Sequence, residues 1–207
     1  MENFDRKSHW DNIYTTKDLE NCSWYQPDPV TSLELIERSG VSKSAKIIDI
    51  GGGDSYLADR LLEKGYTDIT VLDISEVALF RAKERLEDQS GKVKWIVGDA
   101  TQYTLTEKYD LWHDRAAFHF LTDLNDVNSY AATAKKALRD GGILVVGTFS
   151  ENGPKKCSGI KIEQYSQEDL SNAFPDGFKR IGCINVDHLT PFNTTQNFTF
   201  CSFRKGV

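Results

Sequence analysis

Two carboxylates frame a glycine turn in this chain. The turn, Asp49-Ile50-Gly51-Gly52-Gly53-Asp54, follows the run Lys46-Ile47-Ile48. The second carboxylate, Asp73, closes another apolar run, Thr70-Val71-Leu72. Residues without a Cβ let the backbone bend sharply after a strand and lie flat against a ligand. A carboxylate at the end of the next strand can accept both hydroxyls of a ribose. The pattern therefore points to an adenosine-bearing ligand. A further cluster, His113-Asp114-Arg115, ends a later strand-like segment, 109–112. Three ionisable groups are costly to bury without a purpose. His113 suits a general base, because its unperturbed pKa is about 6.5. Asp114 suits orienting that base or holding an amine, and Arg115 suits clamping a carboxylate bidentately. A plain strand-end ion pair between Asp114 and Arg115 is the alternative.

The surrounding pattern supplies a scaffold for these groups. Strands are expected over 45–50, 68–72, 93–97, 109–112 and 143–148, and helices over 55–64 and 75–87. A further helix is marked by Val127, Tyr130, Ala131, Ala134 and Leu138 at i, i+3, i+4, i+7 spacing and stopped by Gly141-Gly142. Strands separated by such helices make right-handed crossovers and a parallel sheet. The tail departs from this rhythm. Two strand-like segments, 181–188 and 196–203, are joined by a connection too short for a helix, so they must pair antiparallel. The expected fold is α/β: a Rossmann-like, mostly parallel seven-stranded sheet with helices on both faces and a C-terminal antiparallel hairpin. One domain spans 1–207. It has an N-terminal helical cap (1–44), a cofactor-binding core (45–149), and a substrate-side loop and hairpin (150–207).

Composition narrows the partners. With 207 residues, 39% hydrophobic and 27% charged, the chain fits a water-soluble globular domain. A formal net charge of −6 argues against nucleic acid, whose binders present a basic surface. No segment approaches the roughly 20 apolar residues of a membrane span, and 1–17 resembles neither a signal nor a transit peptide. Cys22, Cys157, Cys183 and Cys201 lack zinc spacing, and their scatter argues against a disulfide framework. No metal site and a cytoplasmic location are expected, with the protein a monomer or weak homodimer.

The glycine turn also discriminates between adenosine cofactors. Tyr56 stands where a dinucleotide fingerprint needs its third glycine, and Asp54 puts negative charge where a pyrophosphate needs positive potential. Both features disfavour NAD and suit S-adenosyl-L-methionine, a phosphate-free cation. Four segments carry a resemblance to the class I S-adenosylmethionine-dependent methyltransferases. They are Ile48-Asp49-Ile50-Gly51-Gly52-Gly53, Val71-Leu72-Asp73-Ile74-Ser75, Gly98-Asp99-Ala100 and Leu138-Arg139-Asp140-Gly141-Gly142-Ile143. Within that superfamily the chain looks like a small bacterial-type group, through His9-Trp10-Asp11-Asn12-Ile13-Tyr14, Ser23-Trp24-Tyr25-Gln26, the run 112–121 and Cys157-Ser158-Gly159. It also resembles lysine methyltransferases that act on citrate synthase and, more distantly, on elongation factors.

The resemblance implies roles at matching positions. Gly51 and Gly53 would pass beside the methionine part of the cofactor, and Asp49 would lie near its α-amino group. Asp73 would accept the ribose hydroxyls, Ile74 would cover the adenine face, and Asp99 with Ala100 would read the adenine edge. Trp24, in a lid, would face the sulfonium through cation–π attraction. His113, Asp114 and Arg115 would serve the acceptor. The expected reaction moves a methyl group to a small-molecule O, S or N acceptor. A protein-lysine acceptor, an NAD(P)-dependent oxidoreductase and a non-catalytic cofactor-binding module are the alternatives. His119 reads as a core or rim histidine, and His188 as a weaker rim candidate.

Overall fold

The computed structural model describes residues 4–104, 106–175 and 177–206. Its strands are β1 (Lys46–Ile50), β2 (Asp68–Asp73), β3 (Val93–Val97), β4 (Tyr109–Arg115), β5 (Leu138–Phe149), β6 (Lys156–Cys157), β7 (Ile160–Lys161), β8 (Phe178–Leu189) and β9 (Thr195–Lys205). The helices are α1 (Arg6–Thr16), α2 (Val30–Arg38), α3 (Leu57–Glu63), α4 (Glu76–Leu86), α5 (Leu124–Ala137) and α6 (Gln167–Asn172). Seven strands form one sheet in the order β3-β2-β1-β4-β5-β9-β8. The first five run parallel, and β9 and β8 add antiparallel. The expected mostly parallel sheet with a closing hairpin is the fold observed.

Strand alternation divides the core in two. Ile48, Ile50, Trp112, Leu144 and Val146 face one side, where Tyr130 and Ala134 of α5 cover them. Ile47, Ile69, Val71, Leu111, Ile143 and Val145 face the other, under Leu33 and Ile36 of α2 and Leu57 and Leu61 of α3. Each such buried side chain contributes about 1.5–3 kcal/mol. Three of them in β1, Ile47, Ile48 and Ile50, therefore offset the cost of carrying Asp49 into the same buried strand.

Three details differ from the sequence expectation. The helix through Val127 ends at Ala137, and β5 begins at Leu138, ahead of the glycine pair. Gly141 takes φ +78° inside that strand, so the pair bends β5 instead of ending α5. Residues 156–161 form a small hairpin, β6–β7, turned by Ser158 (φ +50°) and Gly159 (φ +82°). Cys183 and Cys201, expected to be unlinked, form a disulfide. They face each other in the β8–β9 register, with Cα atoms 4.1 Å apart. They lie 18 positions apart in the sequence, a spacing that alone does not reveal the pair. Among the described residues, no helix is long and apolar enough to cross a membrane.

Candidate active site

Between β1 and β4 the strand order reverses, and crossovers leave in opposite directions. Parallel sheets open a crevice at such a point, over the carboxyl ends of the strands. A cavity lies there, with about 1280 Å³ of free space including its open mouth. The turn after β1 forms its floor. Gly51 and Gly53 take φ +62° and +50°, which side-chain-bearing residues seldom adopt. A Cβ on Gly53 would stand 2.7 Å from Tyr14 Oη and 3.3 Å from Asp73 Oδ2. The bare backbone is thus what lets the turn, the tyrosine and the second carboxylate meet.

Asp73 is buried at the end of β2. Its Oδ1 accepts the Ser75 N–H at 2.8 Å. Burial pushes its pKa up to about 7; the Ser75 N–H opposes this, Asp54 adds repulsion, and the Gly53 N–H also lowers it. Ile74 lines the cavity beside it. After β3, Asp99 Oδ1 accepts from the Thr101 N–H at 2.8 Å and its hydroxyl at 2.7 Å, while Oδ2 lies 3.7 Å from Arg6 Nη1. Asp99 and Ala100 line the same wall.

The N-terminal segment forms the roof. Asp5 caps α1 by accepting the Ser8 N–H. The Ser75 hydroxyl donates to Asp11 at 2.7 Å, and Arg81 donates to the carbonyls of Tyr14 and Lys17, each at 2.7 Å. These bonds dock α1 on α4 and turn Trp10 and Tyr14 into the cavity. There Trp10 packs edge-on against Trp24 and Phe120, at centroid distances of 6.0 and 5.0 Å. His188, on β8, donates through Nε2 to the Ser23 carbonyl at 2.8 Å and accepts at Nδ1 from Gln26 at 3.2 Å. It ties the roof loop to the C-terminal hairpin.

The cluster at the end of β4 is divided by its own pleat. Asp49 and His113 are register partners on one face, and the His113 Nδ1 lies 2.7 Å from Asp49 Oδ1. The other ring nitrogen, Nε2, lies 2.9 Å from the hydroxyl of Ser32 on α2. Both nitrogens are occupied, so His113 holds Asp49 in place and is not available as a general base. Asp114 points to the opposite face, as every next residue of a strand must. Its carboxylate accepts from the Tyr130 hydroxyl at 2.5 Å and from the N–H groups of Ala117 (2.9 Å) and Phe118 (3.2 Å). The expectation that Asp114 orients His113 or holds an amine is therefore corrected: it braces the loop after β4. Burial, resisted chiefly by the Tyr130 hydroxyl, pushes its pKa up to about 6.

Arg115 returns to the cavity side. It pairs with no carboxylate among the described residues, Asp114 included. Its Nη1 donates to the Trp24 carbonyl at 3.2 Å, and its guanidinium carbon lies 4.8 Å from the Phe198 ring centroid. His119 belongs to the core: it stacks on Phe149 at 4.5 Å, and Nδ1 accepts the Phe149 N–H. Burial, then the charge of Arg115, pushes its pKa down to about 3 and keeps it neutral. Cys157, at the β6–β7 turn, lines the cavity beside Arg115.

The fold and this crevice have counterparts. A methyltransferase-domain family matches residues 47–142, from β1 to the start of β5. Over the strands that hold the crevice the chain is thus similar to the class I S-adenosylmethionine-dependent methyltransferases. It is 31% identical over 183 residues to malonyl-[acyl-carrier protein] O-methyltransferase 1 of Ilyobacter polytropus, covering 88% of the chain and 63% of that protein. It is 30% identical to the mouse eEF1A lysine and N-terminal methyltransferase, covering 98% of the chain but only 32% of that protein. It therefore spans about a third of that eEF1A relative and less than two thirds of the malonyl relative. Among solved structures, one from work on thioacetal formation in echinomycin biosynthesis aligns with a TM-score of 0.79 at 19% identity, over 97% of this chain and 93% of that one. The glycopeptide N-methyltransferase MtfA, complexed with S-adenosylmethionine, aligns with a TM-score of 0.67 at 14% identity, over 88% and 96%.

Ser32, Tyr14, Trp10 and Phe120 were not singled out from sequence as site residues. A serine inside an amphipathic helix carries no signal of a distant histidine partner. Trp10 and Tyr14 did stand in a distinctive segment, but helical spacing accounted for them equally well.

Proposed function

We propose that this chain transfers a methyl group from S-adenosyl-L-methionine to a small-molecule acceptor in the crevice over β1, β2 and β4. One observation carries the reading: the buried Asp73 carboxylate stands directly behind the bare Gly53 backbone on a wall lined by further acidic groups. Asp49, Asp54, Asp73 and Asp99 suit a cationic, phosphate-free adenosyl ligand and oppose a pyrophosphate. That charge balance speaks against a nicotinamide dinucleotide.

The residues fit the group piece by piece. Asp73 would take the ribose hydroxyls, Ile74 the adenine face, and Asp99 and Ala100 the adenine edge. The Gly51 and Gly53 backbone would lie along the methionine part, with Asp49, fixed by His113, toward its ammonium. Trp10, Tyr14, Trp24 and Phe120 line the cavity, where each ring face turned to a cation would add an attraction of about 0.5–2 kcal/mol. Bound there, the cofactor supplies a methyl group already activated by a sulfonium. The chain's contribution is to orient the acceptor and exclude water, worth up to roughly 7–11 kcal/mol when alignment is complete.

A protein-lysine acceptor is the second reading, favoured by the likeness to eEF1A methyltransferases across 98% of the chain. The roof of α1 and the 19–28 loop favours a small acceptor, because it brings Trp10, Tyr14, Trp24 and Tyr25 into the cavity wall and narrows the crevice. The test has two parts. Calorimetry should give saturable binding of S-adenosylmethionine and none of NADH. Incubation of a lysate with tritiated methyl donor should then label the small-molecule fraction. Label confined to protein would reverse the choice of acceptor, and absence of cofactor binding would end the reading.

A further inference from the structure

Arg115 is set in the wall of the crevice and forms no ion pair among the described residues. Arg81 and Arg85 each meet a carboxylate, Asp54 at 3.2 Å and Asp59 at 2.9 Å. Arg115 meets only the Trp24 carbonyl and the Phe198 ring, and its Nη2 is buried with no hydrogen-bond partner. A buried charge left unpaired is costly. The group that would satisfy it must enter through the cavity that Arg115 lines.

The histidines, the thiol and the phenol of this crevice share a second property: none is a free base. His113 has both ring nitrogens engaged, by Asp49 and Ser32. His188 has both engaged, by Ser23 and Gln26. Asp114 faces the opposite side of the sheet. Burial raises the pKa of Cys157 and raises that of Tyr14 well above its usual value, so both stay protonated near neutrality. The cavity's carboxylates, Asp49, Asp54, Asp73 and Asp99, already face His113, Arg81, Ser75 and Thr101, so a neutral hydroxyl, thiol or ammonium acceptor would have to shed a proton with no uncommitted imidazole, thiolate or phenolate beside Arg115. A carboxylate would not.

We propose that the acceptor's reacting group is a carboxylate, held through one oxygen by Arg115 Nη2, and that the product is a methyl ester. This rests on the methyltransferase reading above. The free carboxylate oxygen forms the new C–O bond with its own lone pair. The C–S bond to the donor sulfur breaks, and its electron pair stays on sulfur. A carboxylate and a sulfonium become a neutral ester and a neutral thioether, and no proton is left over.

The experiment separates this proposal from the reading beneath it. Small-molecule extract is incubated with the protein and tritiated S-adenosylmethionine, and the labelled fraction is treated with mild base. Esters release volatile methanol; N- and S-methyl groups do not. In parallel, protein saturated with S-adenosylhomocysteine is titrated in a thermal-shift assay with acetate, succinate, benzoate and phenylacetate, and with their amides. Volatile label is expected, together with a melting-temperature rise from at least one carboxylate and none from its amide. Arg115→Met should lose at least tenfold in labelling and the whole carboxylate shift, with cofactor affinity within twofold of wild type. Arg115→Lys, which keeps the charge without the fork, should retain part of both. Base-stable label, no label from any extract, or a carboxylate shift that survives in Arg115→Met overturns the proposal. Failure of the wild-type protein to bind S-adenosylmethionine overturns the reading on which it rests.

Discussion

Replacing Asp73 by Asn separates two opposing effects of one carboxylate. In the ligand-free protein the group is destabilising, because it is only 5% exposed and its pKa is pushed up to about 7. A carboxyl group with a raised folded-state pKa stabilises the fold most when neutral. That contribution is complete below the ordinary value of 3.8 and is lost as pH rises through about 7. The gap corresponds to about 4 kcal/mol at most above neutrality. Asparagine is neutral at every pH but must bury its own amide, so roughly half of that is expected to be recovered at pH 8. For a chain of this size, ~2 kcal/mol raises the melting temperature by about 4–8 °C.

With the cofactor bound the sign reverses. On the proposed ribose assignment two hydroxyls would donate to the ionised form, and each charge-assisted hydrogen bond would contribute about 1.5–3 kcal/mol. Asparagine offers one acceptor oxygen and one donor, so one such bond is lost. S-adenosylmethionine should then bind roughly 30- to 150-fold more weakly, from about 2–3 kcal/mol. Wild-type affinity should also fall about eightfold between pH 7.5 and pH 6, as Asp73 takes up a proton, while the variant stays flat. Calorimetry across that range and differential scanning fluorimetry supply both readouts. Equal dissociation constants for the two proteins, or a pH dependence that persists in Asp73→Asn, would refute the ribose assignment.

Other perturbations test the rest of the site. Gly53→Ala forces a Cβ to 2.7 Å from Tyr14 Oη at φ +50°, so cofactor affinity should drop at least tenfold with the far-ultraviolet circular dichroism preserved. Asp114→Ala leaves the Tyr130 hydroxyl and two backbone N–H groups without their acceptor. It should lose about 3–4 kcal/mol in urea denaturation while cofactor affinity of the folded protein is unchanged; the opposite pattern would place Asp114 in the site. Burial and Arg115 hold the His188 pKa below its ordinary value. The stability it contributes is therefore present above the unfolded value of about 6.5 and lost as pH falls through the folded one. Proteolysis of the 19–28 loop should accelerate as pH drops below 6, and Gln26→Ala should accelerate it at neutral pH too.

The scaffold was legible because its signals are local and repeated. Buried strands such as Lys46–Ile50, the helical spacing of Val127, Tyr130 and Ala134, and the helix-free connection before β9 each point to one element, and together to one topology. The bend in β5 was hidden because a Gly-Gly pair ends a helix and kinks a strand with equal ease. The Cys183–Cys201 link was hidden because it depends on hairpin register, which neither spacing nor composition fixes. In the site, Gly51, Asp49, Asp73, Ile74, Asp99 and Ala100 all line one crevice, with Gly53 packed behind it against Tyr14 and Asp73, because the sheet topology brings strand ends together whatever the loops do. The cluster 113–115 was read as a unit because its residues are adjacent. In an extended strand, adjacency means separation.

That alternation also shapes the chemistry available at the end of β4. Positions 113 and 115 project toward the crevice and position 114 toward α5, so the strand can offer the cavity a histidine and an arginine but not the aspartate between them. The register partner of His113 is Asp49, and α2 brings Ser32 to its other nitrogen. The histidine is thereby committed to holding the glycine turn's first carboxylate in position. What remains at position 115 is one positive charge with a spare donor, beside an imidazole already committed elsewhere. Exchanging the two functions tests this division directly. Ser32→Ala frees His113 Nε2 without touching the cavity charge. It should loosen Asp49 and weaken cofactor binding several-fold, while dependence of the methylated product on Arg115 is unchanged. A gain in methyl transfer to neutral acceptors in Ser32→Ala would show instead that His113, once released, can serve as the missing base.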